Sequence, residues 1–317
     1  MNIAIAGTGR WGKKVLHAIN GLKGVQVSFI CAQHTSSLAE AKGIIGDGHD
    51  ARLTTSFEEI LKDADTDSVM ILTPGSTHFA MSRDALIAGK HVFVEKPAAF
   101  SSHEMQELAR LASGKVYMAG HIHRYNPAVL LLREILQKGS IGKVHHIHSH
   151  GCGNGPQRDD MGALWDYGPH DVTILLHLLG SMPEKVQAVA TKGSHCLHHS
   201  TVSYWLTFPE GIVASCLASW EYPARRRDCV VVGENGYAVF NDYADEKVKV
   251  IGIDGKKLPA GHQEPCAMPL DAELRHFADC VASGSESLTG INQASQVTRV
   301  LECVQLSLER GGEAIYL

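Results

Sequence analysis

The segment Gly7-Thr8-Gly9-Arg10-Trp11-Gly12 constrains this chain more than any other. Before it lies Asn2–Ala6, a short apolar run that reads as a buried strand. After it, Val15, Leu16, Ala18, Ile19 and Leu22 recur at helical spacing. A strand that turns into a helix through three glycines has a physical use. The glycines permit a tight turn and close backbone approach, and the helix N-terminus then faces a pyrophosphate. Glycine spacing alone is weak evidence; its place between a strand and a helix makes a dinucleotide site the reading. Gly7, Thr8, Gly9, Arg10, Trp11 and Gly12 are the expected cofactor contacts.

The chain keeps the same rhythm as far as Gly120. Strands are expected at Val25–Cys31, Ser68–Leu72, His91–Val94 and Lys115–Ala119. Helices are expected at Thr77–Ala88 and Ser101–Ser113, with a short one opened by the capping box Ser56-Phe57-Glu58-Glu59 and a second box at Ser101. Alternating strands and helices require a doubly wound, Rossmann-type parallel sheet covered on both faces.

Beyond Gly120 come a helix at Pro127–Gln137, a strand at Lys143–His150 and a buried helix at Val172–Leu179. Strand-like runs occupy Val186–Thr191, Thr201–Phe208, Ile212–Trp220, Asp228–Val232, Ala238–Asn241 and Lys247–Ile253, then helices 270–283 and 293–310. The fold expected is α/β: a dinucleotide-binding domain over 1–122, then an α+β domain over 123–317 with a large mixed or antiparallel sheet for substrate binding and oligomerisation. The 317 residues suit two domains.

Composition narrows the function. A net charge of −5 argues against nucleic acid or an acidic membrane held by bulk charge. No apolar run approaches the roughly 18 residues of a membrane span. Met1–Ala6 has no basic lead and meets the glycine turn at once, so no export signal is read and a cytoplasmic location is expected. Eight scattered cysteines without a C-x-x-C pair read as reduced, mostly buried thiols.

The acidic residue that would hold the adenosine ribose at the end of the second strand is absent; Gln33 and His34 stand in that stretch. No arginine stands ready for a 2′-phosphate either, so the cofactor is NAD or NADP.

Two more motifs accompany the glycine turn: Thr73-Pro74-Gly75-Ser76-Thr77-His78 after the fourth strand and Glu95-Lys96-Pro97 after the fifth. With Gly120-His121, Arg124-Tyr125-Asn126-Pro127, Trp165-Asp166 through His170-Asp171, and Ser219-Trp220 with Pro223 and Arg225–Arg227, the chain resembles the Gfo/Idh/MocA oxidoreductases over its full length. The segment around Trp165–Asp171 looks most like the branch acting on sugar nucleotides. The resemblance implies an NAD(P)-dependent hydride transfer between nicotinamide and a sugar or sugar-nucleotide hydroxyl carbon. It implies Lys96, Asp166 and His170 as the catalytic set, and Thr73, Pro74, His78, Glu95 and Lys96 near the cofactor. It also implies a homodimer or homotetramer.

The residue types suit that chemistry. Removing hydride from a carbinol carbon needs a base near neutral pH and a cation beside the developing alkoxide. His170 can be the base and Lys96 the cation, at the carboxyl end of a parallel strand. Asp166 sits one helical turn before His170, if that segment is helical, and can orient the imidazole or the substrate. Arg124, Tyr125, Asn126, Arg158 and Trp165 are the expected substrate contacts, although Asn126 with Pro127 also reads as a helix start. Asp171 reads as a supporting partner, and Glu95 and Pro97 as shaping the turn.

His146, His148 and His150 share one strand face, and His195-Cys196 with His198-His199 form a second cluster. No acid or cysteine has fixed spacing to them, so no metal site is assigned. Two other functions fit the same motifs: a glycosidase that oxidises its sugar transiently with retained NAD, and a catalytically silent cofactor-binding regulator.

Overall fold

The structure is a computed structural model that describes residues 1–154, 157–193, 197–260 and 267–317. The chain opens with β1 (Asn2–Ala6), α1 (Arg10–Ile19), β2 (Gln26–Cys31), α2 (Thr35–Ile45), β3 (Arg52–Thr54), α3 (Phe57–Lys62), β4 (Ser68–Ile71), α4 (His78–Ile87), β5 (His91–Glu95), α5 (Ser102–Leu111) and β6 (Tyr117–Gly120). These strands form a six-stranded sheet in the order β3-β2-β1-β4-β5-β6, parallel throughout. β4 and β6 are buried along their whole length, as expected of strands covered on both faces. The chain runs outward from β1 to β3 and then crosses back to β4. That reversal leaves a crevice outside the carboxyl ends of β1 and β4, where ligands of open α/β sheets bind.

Two details differ from the sequence reading. α2 and β3 occupy a stretch with no strong periodicity, since Gly43 and a polar Thr35-Ser36-Ser37 start interrupt the apolar Leu38, Ala41 and Ile45. The box at Ser56 does not close: Ser56 makes no side-chain cap, and its backbone N–H donates instead to Thr54 Oγ1 at 2.9 Å. The second box forms in part, with Ser101 Oγ accepting from the Glu104 N–H at 3.2 Å.

The chain continues with α6 (Pro127–Gln137), β7 (Val144–Asn154), α7 (Ala163–Leu179), β8 (Lys185–Thr191), β9 (Thr201–Thr207), β10 (Val213–Ser219), β11 (Glu221–Gly233), β12 (Gly236–Asn241), β13 (Val248–Gly252), β14 (Lys257–Leu258), α8 (Pro269–Ser283), α9 (Ile291–Glu309) and β15 (Ile315–Tyr316). Its strands form a nine-stranded sheet, β14-β13-β12-β11-β7-β10-β9-β8-β15. β7 and β10 pair in parallel and their other neighbours are antiparallel, so the sheet is mixed. Residues alternate between faces: Tyr204 is buried and Trp205 beside it is exposed. α7 starts well before Val172, bringing Trp165, Asp166 and His170 onto one helix.

The chain divides into two compact units, Met1–Ile122 with Ala267–Ser295, and His123–Cys266 with Gln296–Leu317. The expected second domain over 123–317 is therefore interrupted, because 267–295 pack on the first unit. The cause is apolar: Leu274, Phe277 and Cys280 form the buried face of α8, and the Phe277 ring meets Phe93 of β5 edge-on at 5.7 Å. The Ala119 N–H of β6 donates to the Thr289 carbonyl at 2.8 Å.

Candidate active site

In the first unit, the turn from β1 to α1 is built by steric necessity. Gly7 has φ +103°, and a Cβ there would lie 2.6 Å from the Leu72 carbonyl. A Cβ on Gly12 would lie 2.2 Å from the Gly7 carbonyl oxygen. Gly9 differs, since among the described residues a Cβ there meets nothing within 4 Å. Gly9 is the N-cap of α1, has no side chain to bond the helix's first N–H groups, and no acid stands in the first turn. The result is a positive, uncapped helix end with open space at Gly9 among the described residues, which fits a dinucleotide pyrophosphate. Thr8 is buried and Arg10 exposed. At the end of β2, Gln33 and His34 are exposed, with His34 as the N-cap of α2.

The loops after β4 and β5 are stitched together by His78. Its Nε2 lies 2.8 Å from the Thr73 carbonyl oxygen, and its Nδ1 lies 2.8 Å from that of Pro97. Thr77 Oγ1 donates to the Pro74 carbonyl at 2.7 Å, closing the Thr73–Thr77 turn. The Lys96–Pro97 bond is cis. Glu95 is buried beneath this turn. The Trp11 indole N–H donates to its Oε1, and the Lys96 backbone N–H donates to its Oε2 at 3.1 Å. A Cβ on Gly120 would lie 2.9 Å from Glu95 Oε1, so a side chain there would have to displace this carboxylate. Glu95 thus joins the glycine turn to the lysine next to it in the chain.

Sequence reasoning missed Glu273 of α8. It is fully buried, and neither of its carboxyl oxygens has a hydrogen-bond partner among the described residues. Burial, then the charge of Glu95, pushes its carboxyl well above the usual range. No spacing pattern in the sequence marks it.

In the second unit, α7 carries Asp166 in its first turn and His170 one turn later. The buried Trp220, between β10 and β11, donates its indole N–H to Asp166 Oδ2 at 3.0 Å. Arg158 Nη1 lies 4.0 Å from Asp166 Oδ1, while its Nε donates to Asp160 at 3.0 Å. The His170 ring packs edge-on against His123, centroids 4.9 Å apart, and His123 in turn against Phe240. Trp165 is buried in the same helix.

Asp171, beside His170, anchors α7 to the sheet. It is fully buried; Ser149 Oγ donates to its Oδ1 at 2.9 Å and Arg227 Nη1 at 3.1 Å, and Tyr204 donates to Oδ2 at 3.3 Å. Burial raises its carboxyl pKa, and the Arg227 charge opposes that shift. Removing one partner of such a buried pair typically costs about 3–5 kcal/mol. Arg227 is therefore a core ion-pair partner. Arg226 instead pairs with Asp228 at 2.9 Å.

Asn126 corrects an expectation. Its Oδ1 accepts from the Ala128 N–H at 3.0 Å, and its Nδ2 donates to Asp242 at 3.1 Å. It is the N-cap of α6 with Pro127 at the first helical position, so the helix-start role occupies the side chain expected at the substrate. Tyr125 is buried, and Arg124 turns to His177.

Of the histidines, His146 and His148 stack at 4.3 Å, and the Ser215 hydroxyl lies 2.8 Å from His148 Nδ1. His150 pairs with Asp228. His195 and Cys196 lie outside the described residues. Among the described residues no three His, Cys, Asp or Glu side chains converge as a metal-ligand set, and no helix is long and apolar enough to cross a membrane.

Comparison with known proteins gives concordant matches. Residues 1–121 match the family described as an oxidoreductase family with an NAD-binding Rossmann fold, and residues 129–239 match the GFO/IDH/MocA C-terminal domain. Inositol 2-dehydrogenase of Burkholderia vietnamiensis is 27% identical over 314 residues, covering 92% of this chain and 88% of that protein. UDP-N-acetylglucosamine 3-dehydrogenase of Acidithiobacillus ferrooxidans is 32% identical over 168 residues, 51% of this chain and 52% of that one. Levoglucosan dehydrogenase, solved with NADH and levoglucosan, superposes with a TM-score of 0.87 at 20% identity, covering 100% of this chain and 99% of that one, a likeness of fold.

Proposed function

The chain belongs to the Gfo/Idh/MocA family of NAD-binding oxidoreductases, and from that premise we propose that it interconverts a hydroxyl and a carbonyl on a sugar, cyclic polyol or sugar nucleotide, with Lys96, Asp166 and His170 as the reacting side chains. The observation that carries this reading is the pairing of Asp166 and His170 on successive turns of α7, with Asp166 fixed by Trp220.

When bound, the nicotinamide is the hydride carrier. The other tasks fall to side chains. Nδ1 of His170 is buried, which leaves Nε2 to take the hydroxyl proton or return it. The Asp166 carboxylate orients the imidazole or the hydroxyl and favours the imidazolium while it exists. The Lys96 ammonium steadies the negative charge that develops on the substrate oxygen. Its backbone is held by Glu95, so the side chain starts from a fixed point. General-base catalysis is typically worth about 10²–10⁴-fold.

The substrate class is supported by relatives named for inositol and UDP-N-acetylglucosamine. The exposed Val189, Trp205 and Tyr237 on the nine-stranded sheet support a homodimer or homotetramer, which light scattering tests. For activity, the nucleotide retained on purification is identified by mass spectrometry. Cyclic polyols, free sugars and sugar nucleotides are then screened by reduced-nicotinamide absorbance, with Lys96→Ala as control. The reading expects substrate-dependent turnover that Lys96→Ala lowers at least about a hundredfold. An absence of turnover across the screen, or a variant as fast as the parent, contradicts it.

A further inference from the structure

Three side chains of the second unit meet in a way that the oxidoreductase chemistry does not use. Arg124 lies on the short 3-10 turn before α6, Arg133 on the second turn of α6, and His177 on the last turn of α7. Arg124 Nη1 lies 2.5 Å from His177 Nδ1 and 3.1 Å from Nε2; Arg133 Nη1 lies 2.7 Å from the same Nδ1.

The arrangement is electrostatically incomplete. Neither arginine has a carboxylate partner among the described residues. The imidazole is neutral, because burial, then the charges of Arg124 and Arg133, lowers its pKa to about 3. Hence it offers no counter-charge. A neutral ring also has a single acceptor lone pair, and two guanidinium N–H groups aim at it. One of them has surplus hydrogen-bonding capacity. The C-terminal dipole of α7 supplies about half a negative charge, short of what two guanidiniums call for. Burial and Arg133 both lower the Arg124 pKa, as expected of cations that lack a counter-ion.

Two guanidiniums a few ångströms apart match the oxygens of one planar or tetrahedral oxyanion. We propose that Arg124 and Arg133, which now share the His177 imidazole, form a binding site for a phosphate group, free or carried on a small metabolite. The phosphate oxygens accept from both guanidiniums, and one of these leaves the imidazole to do so. The site rests on the geometry of this unit alone. Its failure would leave the oxidoreductase reading intact, and the reverse holds too.

The test uses the whole protein saturated with NADH, so that phosphate cannot enter through the nucleotide site. Inorganic phosphate and glucose 6-phosphate are titrated separately by calorimetry. The proposal expects one saturable phosphate site per chain, weakened at least about tenfold in Arg133→Gln and less in Arg133→Lys. Tighter binding of the sugar phosphate marks a metabolite as the natural source; equal binding marks the free ion. His177→Phe removes the neutral competitor and keeps both cations, so it should bind phosphate at least as well as the parent. This variant keeps the test decisive if Arg133→Gln fails to fold. Absence of saturable binding at about 10 mM phosphate, unchanged affinity in a folded Arg133→Gln, or loss of binding in a folded His177→Phe overturns the proposal.

Discussion

Trp220 donates its indole N–H to Oδ2 of Asp166 at 3.0 Å, joining the end of β10 to the first turn of α7. An indole can only donate, and a carboxylate can only accept, so the pair has one polarity and one register. A hydrogen bond to a charged group is worth about 1.5–3 kcal/mol. Trp220→Phe keeps most of the buried ring and removes the donor. It should lower unfolding stability by about 2 kcal/mol and kcat by roughly tenfold, with nucleotide affinity unchanged. Urea unfolding and steady-state kinetics read both effects.

The three glycines of the first turn should separate into two classes. A methyl at Gly12 collides with the Gly7 carbonyl oxygen, whereas a methyl at Gly9 meets nothing within 4 Å among the described residues. Gly12→Ala is expected to lower the melting temperature. Gly9→Ala should leave that temperature within about 2 °C and weaken NADH binding at least tenfold, because its methyl enters the space assigned to the pyrophosphate. Equal NADH affinity in the Gly9 variant would remove the turn from the cofactor site.

His121 sets a pH dependence of folding. Burial lowers its pKa to about 4, against a hydrogen bond with Gln293 and with help from the Lys96 charge. Its folded pKa lies below its unfolded one, so the unfolded chain binds the extra proton first. Stability from this group is complete above about pH 6.5 and is lost as pH falls toward 4, by about 3 kcal/mol in all. His121→Gln should flatten the decline between pH 7 and 4.5, measured as the difference in urea midpoints between variant and parent.

The doubly wound sheet was legible because its strands are near-continuous apolar runs separated by helical periods, and the glycine turn fixed which strand came first. β7 and β11 both run longer than their apolar cores, since Gly151–Asn154 and Glu221–Arg227 pair without hydrophobic alternation. The return of 267–295 to the first unit could not be read, because an amphipathic helix such as α8 records that it packs but not on what. In the candidate site, Asp166 and His170 were singled out by the family resemblance, and their one-turn spacing could be read only on the condition that the segment is helical, which α7 meets by starting at Ala163. The anchoring of Asp171 by Ser149, Tyr204 and Arg227 was not legible, because those contacts join residues up to 56 positions apart. Glu273 was hidden for the same reason, and Asn126 was read in two ways of which the structure shows the helix cap.

The measurement that bears hardest on this mechanism is pre-steady-state nicotinamide reduction by His170→Ala, using the best substrate from the screen and saturating nucleotide. With His170 as the base, the hydride-transfer rate should fall by about 10²–10⁴-fold, with the NADH dissociation constant unchanged within a factor of about two. A rate within about threefold of the parent would contradict it, because the proton of the reacting hydroxyl would then be leaving through some other group.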